Sequence, residues 1–153
     1  MKAREIMTAA PMTVTPVDSV RRAADVMREL NVGAVPVVED RVSNMLRGII
    51  TDRDITIRCT AEAHASNCLV KDHMTAMPLQ TIHPEEDVSR AIEKMERGQV
   101  RRLPVITPDG VLVGIIAQAD VATKVGPTQP RKVEQLLERV SAASVPSEAI
   151  AHA

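Results

Sequence analysis

Two carboxylates stand in matching contexts along this chain. Asp54 closes the run Gly48-Ile49-Ile50-Thr51-Asp52-Arg53-Asp54, and Asp120 closes Gly114-Ile115-Ile116-Ala117-Gln118-Ala119-Asp120. In each, an apolar run typical of a buried strand gives way to polar residues that begin a helix. A carboxylate at such a junction can accept two hydrogen bonds from the vicinal hydroxyls of a ribose. A neighbouring hydroxyl, Thr51, and the helix N-terminal amides favour a phosphate. The same spacing, Thr51-x-x-Asp54 ahead of Ile55, is equally a capping box that holds the helix start. Both readings stay open, and one pair of residues can serve both. At Asp120 the hydroxyl is missing because Ala117 replaces it, a loss of about 0.5–1.5 kcal/mol of hydrogen bonding. Two inequivalent sites are expected, with Thr51 and Asp54 forming the fuller one.

Phosphate charge calls for cations, and Arg53, Arg101 and Arg102 are the candidates, because planar guanidinium donors bind phosphate bidentately. The first-half positions matching Arg101 and Arg102 are Gly33 and Ala34, so the cationic endowment is lopsided. A base would be read by backbone groups near Val14 and Ile82, with Val35, Pro36 and Pro104 as aliphatic walls. Cys59, His64, Cys68 and His73 follow one another as C-x4-H-x3-C-x4-H. Zinc sites usually use a shorter Cys–Cys spacing, so the expectation is two unpaired connector thiols and no metal. A reversible Cys59–Cys68 redox response is the alternative use of the pair.

The composition removes several classes of function. Among 153 residues there is no Phe, Tyr or Trp, so no aromatic platform exists for stacking single-stranded bases. Net charge is -1, which gives no pull toward nucleic acid or acidic membrane. No stretch approaches the roughly 20 apolar residues of a membrane span, and the first residues carry no signal-peptide core. A cytoplasmic protein is expected. There is no G-x-x-x-x-G-K loop, and no Ser or Cys nucleophile shares a motif with a His base. The reading is non-enzymatic.

The elements that must hold these residues repeat. The segment from Val14 to Asp54 aligns with Ile82 to Asp120: Pro16 falls on Pro84, Val20 on Val88, Ala23 on Ala91, Met27 on Met95 and Pro36 on Pro104. Upstream, REIMTAAP matches KDHMTAMP, with Met7 on Met74 and Pro11 on Pro78. In each copy a short β segment precedes an apolar stripe at helical spacing (Val20, Ala23, Ala24, Met27, Leu30), for which Asp18 is the expected N-cap. Two strands then pair as a hairpin, Val35–Val38 with Leu46–Ile50 and Leu103–Ile106 with Val111–Ile116. The expected fold is α/β (α+β): two pseudo-symmetric β-α-β-β-α repeats packed sheet to sheet, plus a C-terminal helix. The boundaries are 1–62 and 63–126 for the repeats, 131–141 for the helix and 142–153 for a flexible tail. Val133, Leu136, Leu137 and Val140 share one face of that helix, which either packs on its parent module or docks a partner.

The motif order resembles the tandem CBS-domain pair, or Bateman module, and within it small standalone bacterial proteins of the hypoxic-response type. The resemblance covers roughly residues 1–126. It rests on the IMT and HMT starts, V-x-P before a helix, G-A-V-P-V and R-R-L-P-V, and the two G-I-I-x-x-x-D endings. It implies a regulatory homodimer that senses AMP, ADP, ATP, NAD or S-adenosylmethionine in a cleft between repeats and signals to a downstream protein. The family's G-h-x-[T/S]-x-x-[D/N] pattern is met by Gly48, Thr51 and Asp54, which implies a ribose role for Asp54. A basic residue just before the L-P-V strand, here Arg101 or Arg102, is implied to face phosphates. The alternative is a protein-interaction adaptor that needs no ligand.

Overall fold

Each repeat writes its elements in the same order, and the computed structural model, which describes residues 1–65 and 67–142, folds them alike. The elements are α1 (Ala3–Ile6), β1 (Thr8–Ala9), α2 (Val20–Leu30), β2 (Ala34–Val38), β3 (Leu46–Thr51) and α3 (Asp52–Asp54). A π-helical turn (Ile55–Thr60) continues α3, and a 3-10 turn (Val70–Asp72) precedes β4 (Thr75–Ala76). The second repeat supplies α4 (Val88–Gly98), β5 (Arg102–Ile106), β6 (Leu112–Ala117) and α5 (Gln118–Lys124), and α6 (Pro130–Ala142) follows. The fold is mixed α/β with two three-stranded sheets, ordered β1-β6-β5 and β2-β3-β4.

Those orders hold a result that the linear repeats conceal. The short strand opening each repeat joins the sheet of the other: Thr8 and Ala9 pair with Ile115 and Gly114, while Thr75 and Ala76 pair with Ile49 and Gly48. The compact units are interleaved accordingly. One holds Met1–Ala9, Gln80–Val105 and the chain from Val113, and the other holds Ala10–Leu79 with Ile106–Leu112. The tip of the second hairpin thus belongs to the first repeat's unit, where Leu46 N–H donates to Gly110 O (3.1 Å) and Leu112 N–H to Asn44 O (2.9 Å).

Each unit has its own apolar core. One gathers Ile6, Ile82, Val88, Met95, Leu103, Ile116 and Val121 with α6 residues Val133, Leu136 and Val140. The other gathers Val14, Val20, Val26, Val35, Val37, Ile50 and Cys59, with a second cluster of Val38, Leu46, Ile106 and Leu112. Both cores are built without aromatic rings, and each fully buried Val, Leu, Ile or Met contributes about 1.5–3 kcal/mol of burial. The apolar face of α6 is spent on its own unit, although Leu137 stays 40% exposed. In α2, the buried residues are Val20, Ala23, Val26 and Met27, and Leu30 lies outside the core.

Two local expectations need correction. Ser19, not Asp18, caps α2: its Oγ accepts from Arg22 N–H (3.1 Å), whereas the Asp18 carboxylate accepts from Thr15 N–H (2.7 Å) and shapes the preceding turn. Neighbouring Asp and Ser are both good caps, and only the chain's entry angle chooses between them. The C-terminal helix begins at Pro130, where a proline fits because the first helical N–H has no partner anyway. The tail expected from 142 onward lies, from 143, outside the described residues. Among the described residues no helix is long and apolar enough to cross a membrane.

Glycine at position 48 is demanded by the visiting strand. A Cβ there would stand 2.5 Å from Thr75 O and 3.1 Å from Met74 Sδ, so the backbone of β4 would have to move. At Gly114 the tightest contact is the flexible Met7 side chain, with Thr8 O at 3.1 Å. Gly48→Ala is therefore expected to cost about 1–3 kcal/mol, and Gly114→Ala clearly less. Urea unfolding followed by far-ultraviolet circular dichroism measures both, and equal costs would show that backbone crowding at Gly48 is not limiting.

Candidate functional site

The sequence-expected residues fall into one set per unit. Val14, Val35, Pro36, Thr51, Arg53 and Asp54 belong to the first, and Ile82, Arg101, Arg102, Pro104 and Asp120 to the second. In the first, β2 and β3 run antiparallel with Ala34 opposite Thr51 and Val35 opposite Ile50. Val14 forms a parallel bridge to Val37. Asp52 N–H donates to Gly33 O (3.0 Å), and the twin bond runs from Gln118 N–H to Arg101 O (2.8 Å). Both carboxylates thus emerge where a sheet strand turns into a helix, held there by main-chain bonds to the neighbouring strand's start.

Thr51 and Asp54 make the reciprocal capping box. Thr51 N–H donates to Asp54 Oδ2 (3.0 Å), and Asp54 N–H donates to Thr51 Oγ1 (3.1 Å). In the second unit Ala117 N–H donates to Asp120 Oδ2 (2.7 Å), but Ala117 has no side-chain oxygen to return the bond. The two turns therefore differ as a whole capping box against half of one. Each carboxylate also faces a cation four residues on: Asp54 Oδ1 lies 3.7 Å from Arg58 Nε, and Asp120 Oδ1 lies 3.8 Å from Lys124 Nζ. These partners were missed at the sequence level, although D-x-x-x-R and D-x-x-x-K at twin positions are a legible i,i+4 signal. The Asp54 side chain is 12% exposed, so one edge still reaches solvent.

The expected base-reading groups need revision. Val14 N–H donates to Pro36 O (3.1 Å), Val14 O accepts from Val38 N–H (2.9 Å), and Ile82 N–H donates to Pro104 O (3.1 Å). Their amides are spent on the sheet, because a strand-edge residue that finds a neighbouring strand satisfies its backbone there. Val14, Ile82, Val35, Pro36 and Pro104 are all buried. They serve first as core. Of the cations, Arg53 and Arg101 are exposed and Arg102 is half-buried at the start of β5. Gln118, absent from the expected set, begins α5 with its Nε2 buried and without a hydrogen-bond partner among the described residues. An amide in that state has a donor to give. A pocket of about 440 Å³ in the first unit, lined by Pro16, Val17, Glu39, Arg47, Met74, Ala76 and Met77, includes none of the expected residues. Its charged pair is already closed, with Arg47 Nη2 2.7 Å from Glu39 Oε1.

The connector residues converge as the spacing did not suggest. His73 is 3% exposed, beside the buried Cys59 and half-buried Cys68. Burial pushes the Cys59 thiol up, and the neighbouring Cys68 thiol adds to the effect. Cys59 is therefore protonated at neutral pH and a poor nucleophile.

The duplicated mixed α/β fold, with its two three-stranded sheets, is that of a CBS-type regulatory pair. The chain belongs to the CBS-domain family, whose model matches residues 3–59 and 70–126. The CBS domain-containing protein YhcV of Bacillus subtilis is 38% identical over 119 residues, covering 78% of this chain and 81% of that protein. Hypoxic response protein 1 of Mycobacterium tuberculosis is 34% identical over 120 residues, covering 78% and 82%. A solved structure of hypoxic response protein I with two coordinated zinc ions is 33% identical and superposes with a TM-score of 0.71, over 80% of this chain and 97% of that one. The CBS domain pair of protein MJ0100, in complex with 5-methylthioadenosine and S-adenosyl-L-methionine, gives 0.73 at 26% identity, over 83% and 97%. CBS pairs of this kind are regulatory modules.

The capping difference is testable by itself. Thr51→Ala is expected to cost about 1 kcal/mol, and Ala117→Thr to gain up to a similar amount by completing the second box. Denaturant midpoints measure both, and a neutral Thr51→Ala would mean the hydroxyl carries no capping energy.

Proposed function

We infer that this protein is a non-catalytic regulatory module that binds an adenosine compound, with the ribose held by Asp54. The supporting observation is the repetition of one arrangement in both units: a carboxylate fixed at a strand-to-helix turn, with its acceptor capacity only partly used. A related pair solved with S-adenosylmethionine and 5-methylthioadenosine supports the ligand class. AMP, ADP, ATP, NAD and S-adenosylmethionine all present the same vicinal ribose hydroxyls to such a carboxylate. Thr51 steadies Asp54, and Arg53 supplies positive charge beside it. In the second unit, Asp120 takes the ribose role, Arg101 and Arg102 face phosphates, and Gln118 offers its amide. The buried residues Val14, Val35 and Pro36, and Ile82 and Pro104, back the base with aliphatic surface.

Regulation follows from linkage: a ligand that prefers one conformation shifts the population a partner reads. The module acts in the cytoplasm as a homodimer that passes this state to a downstream protein. The adaptor reading, which needs no ligand, loses its docking element, because the α6 residues Val133, Leu136 and Val140 are buried in their own unit.

The chain lacks Trp and Tyr, so a co-purified base stands out in its ultraviolet spectrum. An absorption band that denaturation releases as an adenosine compound is the expected result. Added ligand at 100 times its dissociation constant is expected to stabilise the fold by about 2.7 kcal/mol. Asp54→Ala is expected to weaken binding at least about tenfold by calorimetry, as a charged hydrogen bond is worth about 1.5–3 kcal/mol. Equal affinities of wild type and variant would remove the ribose assignment. No thermal shift with any of the five compounds would leave the adaptor as the better reading.

A further inference from the structure

Three soft or borderline donors meet in the first unit, all from residues 59–73, which span the connector between the two repeats. The Sγ atoms of Cys59 and Cys68 and a ring nitrogen of His73 all lie within 4.8 Å of one another. They arrive from separate places: Cys59 near the end of the π-helical turn, Cys68 from the connector, and His73 at the end of the 3-10 turn. His73 is the one buried polar or charged side chain among the described residues. A disulfide would employ the two cysteines but would leave a buried imidazole without a task.

The duplicated fold supplies its own control. At the register where Asp54 matches Asp120, Cys59 matches Val125, and at the register where Met74 matches Met7, His73 matches Ile6. Val125 and Ile6 are each 1% exposed and belong to an aliphatic core. The scaffold therefore needs only a hydrophobe at these places. In the first unit both carry metal-ligand chemistry, and a third donor, Cys68, stands beside them.

We propose that Cys59, Cys68 and His73 bind one zinc-class divalent ion, with water completing a tetrahedron. Two thiolates and an imidazole match the ligand preferences of such an ion. Each thiol gives up its proton on binding, and two thiolates neutralise a divalent charge, which suits a buried site. The ion would staple the π-helical turn to the 3-10 turn. Arg58 already ties the same parts, with Nη1 3.4 Å from His73 O and 3.3 Å from Met74 O, while its Nε faces Asp54. Metal occupancy thus bears on the segment that positions the candidate ribose carboxylate. His64, whose ring centroid is 5.2 Å from that of His73, is exposed and stands outside the ligand set.

The test uses the full-length reduced protein, stripped of metal and titrated with zinc sulfate against a chromogenic chelator. One zinc per chain, with an upward thermal shift, is the expected result. Cobalt in its place should give thiolate charge-transfer absorption, easily seen in a chain without Trp or Tyr. Cys68→Ser, the substitution at the least buried ligand, should weaken binding at least about a hundredfold and abolish the thermal shift. His64→Ala should keep the stoichiometry. The proposal is overturned if the reduced protein takes up no zinc, if Cys68→Ser binds as wild type does, or if His64→Ala loses the ion. Zinc-free protein whose thiols are recovered only on reduction would assign the pair to a disulfide instead.

Discussion

Everything in this fold is arranged around two places where a short strand lies directly on a glycine. At Gly48 the carbonyl of Thr75 occupies space that any side chain would contest, whereas Gly114 is met chiefly by the flexible Met7 side chain, with Thr8 O farther off. The β3–β4 register, Gly48↔Ala76 and Ile49↔Thr75, is only two pairs long, and the missing side chain at Gly48 leaves the room that Thr75 O fills. The exchange of opening strands follows, and with it the interleaved units. It also places His73 and Met74, the residues just ahead of β4, against the first repeat's unit rather than their own. The exchanged strand thereby carries His73 to the connector thiols.

Most of the regular structure was legible because each local signal agreed with its twin. Helix stripes, hairpins and the strand-to-helix turns at Thr51 and Ala117 were read within a residue or two. What sequence could not show was non-local. Met7 and Met74 open their own repeats in the alignment, so nothing in the order of residues says that the short strands are exchanged. The backbone at Val14 and Ile82 looked available to a base, because a sequence does not tell which strand edge finds a neighbour. Ser19 and Asp18 both qualify as caps, and the choice depends on the direction in which the chain enters α2.

The convergence of Cys59, Cys68 and His73 is hidden from the sequence for a related reason. Zinc spacing rules describe ligands that leave one tight loop together, and C-x4-H-x3-C-x4-H fits none of them. Here a π-helical turn and a 3-10 turn deliver Cys59 and His73 from different directions, so proximity in space is decoupled from spacing in sequence. The useful signal was the internal alignment: polar residues at 59 and 73 stand where the other copy keeps Val125 and Ile6. In a duplicated fold, a departure from the twin at a buried position is more informative than any motif.

The capping and ribose roles of Asp54 were set against each other by sequence, yet the geometry makes them compatible. An ionised carboxylate offers about four acceptor positions. Thr51 N–H occupies one of them on Oδ2, and Arg58 stands off Oδ1 at 3.7 Å, a weak pairing on a partly exposed surface. Accepting two hydroxyls would require neither bond to break. The cap instead fixes the carboxylate before any ligand arrives, so less side-chain entropy remains to be lost on binding. At Asp120 the same bond from Ala117 N–H is present, but no hydroxyl braces the turn from the other side. Where the first repeat has Thr51 the second has Ala117, and its helix start therefore keeps only half of the cap. Stability and binding strength are expected to rank the two halves in the same order.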